Sequence, residues 1–334
     1  MKNRYIYLDV ISGLMIIFMI AIIHITDWVH LNNHPIYQNG IKIFPFFLSW
    51  FFYKSGMFFK IPSDYREYIK MCYSKLARPW IVWSILSFFI WLVILIINNT
   101  HTDFIHEFLS YCFYTVIDGC HISNIPLWFL FTLFMVKMIY PLFSLLRIRN
   151  VVLFVTLLIT VQLVYCCKCK YGILVKPLWL YNTIIGMCFF CAGDVLRNKQ
   201  NSTSIVLVCF IIYVFINIID FSYVDIKNNV ILFGNYMAFF ISSICGAVLI
   251  NNIFSRITPP IKDWIIIRIL SYIGKKSLLY LSAHWLVFDL FASRLNFKNA
   301  IYGFVIYSII IFIFIPIIDM FIARLGIGKW LGVR

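Results

Sequence analysis

Near the start of the chain a long apolar run closes on an imidazole: YLDVISGLMIIFMIAIIHIT carries Asp9 and Ser12 toward one end and His24 toward the other. Imidazole titrates near neutral pH, so His24 can act as a general base or proton relay. On a straight helix Asp9 and His24 would lie about 22 Å apart along the axis and about 60° apart around it. Both can then face the interior of a bundle, where polar residues at membrane depth usually point. The other reading of His24 is a structural histidine, hydrogen-bonded to a neighbouring helix.

Further chemistry-bearing residues recur in apolar surroundings. In FFYKSGMFFK, Lys54 stands between aromatics and is followed by Ser55 and Gly56. Such a small pair lets a second helix approach closely or the helix open locally. Lys54 itself either snorkels to the nearby surface or stands as a buried cation awaiting an anion. PLWFLFTLF places Trp128 where an interfacial anchor is the simplest reading. SLLYLSAHW adds Tyr280 and a second intramembrane histidine, His284. Arg66, Lys70, Lys75, Arg78, Lys275 and Lys276 are cations able to hold phosphates.

Composition says what must position these groups. The chain is 63% hydrophobic and 12% charged, with a mean hydropathy of +0.91. Apolar runs of membrane-spanning length recur throughout, so the expected fold is all-α: one polytopic transmembrane bundle over residues 1–334, with no separate soluble domain. About ten spans are expected, at 8–28, 43–59, 79–97, 125–146, 151–167, 178–195, 204–220, 230–250, 277–292 and 300–322. The first apolar run follows Lys2 and Arg4 with no small-residue cleavage site after it, and reads as an uncleaved span.

The net charge of +15 does not indicate nucleic acid, because the cations are spread over many short loops. Ten spans with cytoplasmic N- and C-termini put most of them inside. Lys60 to Arg78, Arg147, Arg149 and Arg256 to Lys276 fall there; Lys42, Lys168, Lys170, Lys176, Lys227, Arg294 and Lys298 fall outside. The outer segment 98–124 is acidic and histidine-containing, with His101, Asp103, His106, Glu107, Asp118 and His121, and can shape an acceptor site. The inner segment 60–78 predicts an amphipathic helix along the surface, capped by Ser63, with Pro79 opening the next span. Cys166-x-x-Cys169 and Cys188-x-x-Cys191 imitate zinc spacing. However, Cys188 would lie about 15 Å deeper than the first pair, so no metal is expected.

In this order the segments resemble the acyltransferase family 3 membrane proteins, bacterial O-acyltransferases that decorate exported polysaccharides and related glycans. YLDVISGLMIIFMIAIIH resembles the family's opening: leucine-aspartate, a basic residue with glycine, then an apolar run ending in histidine. FFYKSGMFF resembles its phenylalanine-rich serine-glycine motif, and YSKLARPWIVW its basic stretch ending in proline. PLWFLFTLF and SLLYLSAHW resemble its later tryptophan and tyrosine-leucine-histidine motifs. The likeness covers about residues 4–290. One departure stands out. Ser12 occupies the basic position, and its interval to His24 is one residue longer than the family's. Lys54 is the candidate to supply that cation from the second span.

The resemblance implies an acyl-CoA donor, often acetyl-CoA, on the cytoplasmic side and a glycan hydroxyl acceptor outside. It implies no bound cofactor and a place in the lipid bilayer of the bacterial inner membrane. His24 would be catalytic; Asp9, Ser12, Lys54, Ser55, Gly56, Lys75, Arg78, Trp128, Tyr280 and His284 would serve donor and substrate binding. Two alternatives stand beside it: a glycan or lipid transporter, and a family-related protein without activity. Transporters often carry inverted repeats, and no clear repeat is visible.

Overall fold

The computed structural model describes residues 5–97, 103–145, 150–171, 177–228, 230–292, 295 and 299–333. Lys2, Arg4, His101, Arg147, Arg149, Lys176, Arg294 and Lys298 lie outside the described residues, as do the side chains of Cys169 and Lys170. In chain order the helices are α1 (Ile6–Trp28), α2 (Pro35–Ile43), α3 (Phe47–Met57), α4 (Tyr65–Ile97), α5 (Phe104–Asp118), α6 (Leu127–Leu145), α7 (Asn150–Tyr171), α8 (Leu178–Leu196) and α9 (Thr203–Ile219). A hairpin of β1 (Tyr223–Asp225) and β2 (Val230–Phe233) follows, then α10 (Tyr236–Ile257), α11 (Ile265–Lys275), α12 (Ser277–Ala292) and α13 (Ala300–Leu325).

The protein is an all-α integral-membrane protein. Among the described residues six helices, α1, α4, Val151–Lys168 within α7, α8, α10 and α13, are long and apolar enough to cross a bilayer. Three shorter apolar helices lie at Leu127–Phe143, Thr203–Ile219 and Ser277–Phe291. Their outer faces are apolar: Ile96 is 72% and Ile218 78% exposed. Such surface is stable against lipid and costly in water. The expected second span, 43–59, is an 11-residue helix. Its rise of about 17 Å falls short of a hydrocarbon core of about 30 Å.

Two compact units make up the chain: Met1–Ile61 with Leu142–Ile173 and Ile184–Ser277, and Pro62–Pro141 with Leu174–Thr183 and Leu278–Arg334. In the first unit, glycines set two helix crossings. A side chain at Gly13 would overlap the backbone of Leu270, and one at Gly274 the carbonyl of Asp9, so α1 and α11 touch backbone to backbone. Gly56 meets the backbone of Phe190, and Gly193 that of Tyr53, which joins α3 to α8 in the same way. Without a hydrophobic drive between helices in lipid, close backbone approach of this kind supplies the contact. The close approach expected of Gly56 is thus present.

Several expectations are corrected. The eighth span does not begin at residue 230. Val230–Phe233 is a strand, Tyr223 pairs with Phe233 and Asp225 with Val230, and α10 begins at Tyr236. Gly234 turns the chain at φ +64° and Asn235 caps the helix by accepting from the Ala238 N–H. The segment 98–124 is no loop throughout: Asp103 caps α5 and Gly119, at φ +75°, ends it. Asp64, not Ser63, caps the helix after residue 60, accepting from the Arg66 and Glu67 N–H groups. That helix runs on through a π turn, Tyr73–Ala77, into the α-helical segment Arg78–Ile97, in which Pro79 is the second residue, one place from the expected start. Finally α11, an amphipathic helix with Ser271 and Gly274 buried, lies in a stretch expected to be a cytoplasmic loop.

Candidate active site

In the first unit, α1 and α3 build a small polar centre in an apolar setting. Ser12 is fully buried and Asp9 nearly so. The Ser12 hydroxyl donates to the Leu8 carbonyl at 2.6 Å, as serines in membrane helices do. Lys54 crosses from α3 and donates from Nζ to Ser12 Oγ at 2.6 Å and to the Leu8 carbonyl at 3.4 Å. Its ammonium also lies 5.1 Å from the centre of the Trp50 ring, one helical turn earlier on α3. The lysine is half-buried and reaches α1; it does not extend along its own helix to a surface.

Trp50 is itself fixed. Its indole N–H donates to Asn251 Oδ1 at 2.9 Å, and the Asn251 amide donates to Gln200 Oε1 at 3.2 Å. Trp50, Asn251 and Gln200 are buried. None of the three is a site residue by sequence, although Asn251 is a visible signal: an amide inside the apolar run of α10.

His24 lies on the same helix as Ser12, half-buried, inside a π turn spanning Met19–Ile25. Thr26 follows, its hydroxyl donating to the Ile22 carbonyl. A turn bonded to the fifth residue holds one more residue than an α turn. The 60° offset expected between Asp9 and His24 on a straight helix therefore does not apply. π turns are rare and occur disproportionately at functional sites.

The second unit holds the other candidates. His284 is fully buried on α12, and its Nδ1 donates to the Tyr280 carbonyl at 2.7 Å, since a carbonyl only accepts. Tyr280 is buried as well, and Trp128 is only 6% exposed, so it is a core residue rather than an interfacial anchor. Asn124 ties α4 to α12, donating to Ser87 Oγ and to the Ser282 carbonyl, both at 2.9 Å. Lys75 is exposed, and Arg78 donates to the Lys329 carbonyl at 2.7 Å and the Ser74 carbonyl at 3.3 Å. Arg66, Lys70, Lys75 and Arg78 belong to this unit and Lys275 and Lys276 to the first.

His121 does not line an open outer loop. It is buried, with its ring 4.3 Å from Tyr111 and 5.1 Å from Trp91, and Nδ1 accepts from the Ser123 N–H. Burial pushes its pKa down to about 4.

The geometry thus joins Lys54 of α3 to Ser12, on the helix that also carries Asp9 and His24, while Gly56 faces Phe190 of α8. Residues 5–320, nearly the whole chain, match the family described as an acyltransferase domain. The chain belongs to the acyltransferase 3 family. No curated relative and no solved structure matches it. With its apolar helices, family membership makes it an integral-membrane acyltransferase. In acyltransferase 3 terms, the Ser12 position of the opening motif is the one that Lys54 Nζ contacts from α3.

Proposed function

We infer that this acyltransferase moves an acyl group, acetyl in the first instance, from cytoplasmic acyl-CoA to a hydroxyl of an exported or cell-surface glycan. It does so in a bacterial inner membrane, with His24 as general base. The observation that carries this reading is the 2.6 Å contact between Lys54 Nζ and Ser12 Oγ. It supplies a cation, from a second helix, at the motif position that is basic in the family.

A sugar hydroxyl is a poor nucleophile until a base removes its proton. His24 takes that proton as the oxygen attacks the thioester carbonyl carbon. The carbon–oxygen bond forms, the carbon–sulfur bond breaks, and the departing coenzyme A thiolate regains the proton from His24. Lys54 brings positive charge to the polar face of α1, and Trp50 and Asn251 hold Lys54 in place. About ten crossings with both termini cytoplasmic suit this vectorial chemistry; residues flanking α3 must then complete its passage.

The test uses purified wild-type protein and His24→Ala, following labelled acetyl from acetyl-CoA to cell-surface glycan. Loss of a general base is expected to slow transfer about 100-fold or more. Equal transfer by both proteins would remove His24 from the mechanism. Movement of glycan with no transfer by the wild type would favour transport instead.

A further inference from the structure

The chain continues past α13 into a tail that is held in place. Gly326, at φ +68°, ends the helix in the left-handed conformation. Leu331 and Val333 are buried, and the indole N–H of Trp83 donates to the Leu331 carbonyl at 3.2 Å. Gly332, at φ +71°, lies so close to Pro79 and Leu278 that a side chain there would overlap Pro79. The tail is therefore seated on the start of the membrane-length part of α4 and on α12. It lies beyond residue 320, where the family match ends.

Trp330 stands out from this seated tail, 58% exposed. One face rests on Arg78, whose guanidinium carbon is 5.0 Å from the ring centre. Arg78 is otherwise held by backbone carbonyls, and among the described residues its buried Nε has no hydrogen-bond partner. Lys75 and Lys329 are exposed near it in sequence on the same two segments. Among the described residues, no carboxylate lies within 4.0 Å of the charged nitrogens of Lys75, Arg78 or Lys329. Two carbonyls and a ring orient Arg78, while Lys75 and Lys329 are exposed. A rigid, open aromatic face beside uncompensated positive charge fits a ligand that is itself a flat ring carrying phosphates.

We propose that Trp330 is the stacking platform for the adenine of the acyl-CoA donor, with Lys75, Arg78 and Lys329 receiving its phosphates. This rests on the acyl-CoA reading above and extends it to a segment outside the family match. The cation–π contact holds the indole in one orientation, which lowers the ordering cost of binding.

The experiment compares wild type, Trp330→Ala and Trp330→Phe, each purified in lipid nanodiscs and checked for an unchanged unfolding midpoint. Binding of coenzyme A and of adenosine 3′,5′-bisphosphate is measured by calorimetry. Transfer is followed from acetyl-CoA and from acetyl-pantetheine, which lacks the nucleotide. Trp330→Ala is expected to weaken both ligands about tenfold, and Trp330→Phe to retain most of the affinity. The preference in kcat/KM for acetyl-CoA over acetyl-pantetheine should fall by the same factor in Trp330→Ala. Unchanged affinity and preference, with a shift only in lipid dependence, would make Trp330 a bilayer anchor and overturn the proposal. A wild type that neither binds coenzyme A nor uses acetyl-CoA would instead overturn the donor reading itself, and this proposal with it.

Discussion

Lys54 shows how one residue can take over a role written at another position. Its ammonium reaches the hydroxyl of Ser12 on α1, so positive charge enters the first helix's polar face from α3. Removing it takes that charge from the face. Lys54→Ala is expected to cost about 100-fold in transfer, the scale of losing one preorganised electrostatic contact. The sharper test places the charge back on α1. In the Lys54→Ala background, Ser12→Lys has the vacated volume available and should restore a measurable part of the activity. Normal expression with full activity in Lys54→Ala would refute the role of the cation. The candidates were legible here: Ser12 as the departure, Lys54 as the intramembrane charge. Their contact was not, because residues 42 positions apart meet only through a helix crossing. His121 shows the reverse failure. Read as an outer-loop histidine, it lies instead between Tyr111 and Trp91, since a capped helix, α5, folds the segment inward.

At the scale of elements, the π turn of Met19–Ile25 bears on the one-residue excess between Ser12 and His24. A π turn holds one residue more than an α turn, so it takes up the excess and leaves both flanking stretches packed. Deleting Ala21 should therefore convert the turn to α-helix with little change in unfolding midpoint. Deleting Ile11, within the regular α part, should rotate one half of the helix off its neighbours. It would also disturb the backbone crossing at Gly13 and Leu270. Equal loss of stability in the two deletions would show that the π turn absorbs nothing. Hydropathy could not reveal this turn, because in an unbroken apolar run every helical phase looks alike. α11 escaped for a related reason. Its cations read only as inner-side charge, and the glycine that marks its contact, Gly274, matters only against the carbonyl of Asp9.

For the molecule as a whole, the bilayer is the solvent, and aqueous pH reaches it through its ends. His121 lies outside the membrane-spanning segments, and burial takes its pKa from an ordinary 6.5 down to about 4. Between these values the unfolded chain binds a proton that the folded chain refuses. Its contribution to stability is therefore fully present above pH 6.5 and is lost as the pH falls toward 4. The unfolding midpoint of the purified protein should decline across this window, and His121→Gln should flatten the decline. Parallel pH profiles for the two proteins would show that His121 is not held neutral by the fold.

The sequence by itself determined the solvent, the class of fold and the family. Apolar runs recurring along the chain admit little but membrane helices, because a backbone in lipid must satisfy its own hydrogen bonds. Ordered motifs around His24, Lys54, Pro79, Trp128 and His284 carried the likeness that the match over residues 5–320 bears out. Only the tertiary structure decided which polar groups meet. It brought Lys54 to Ser12, fixed Trp50 through Asn251, buried His121, and seated the tail that carries Trp330 beside Arg78. Each of these depends on where two helices or a tail and a helix approach each other. That approach is set by glycine contacts, caps and a π turn whose effects appear only once the partner backbone is present.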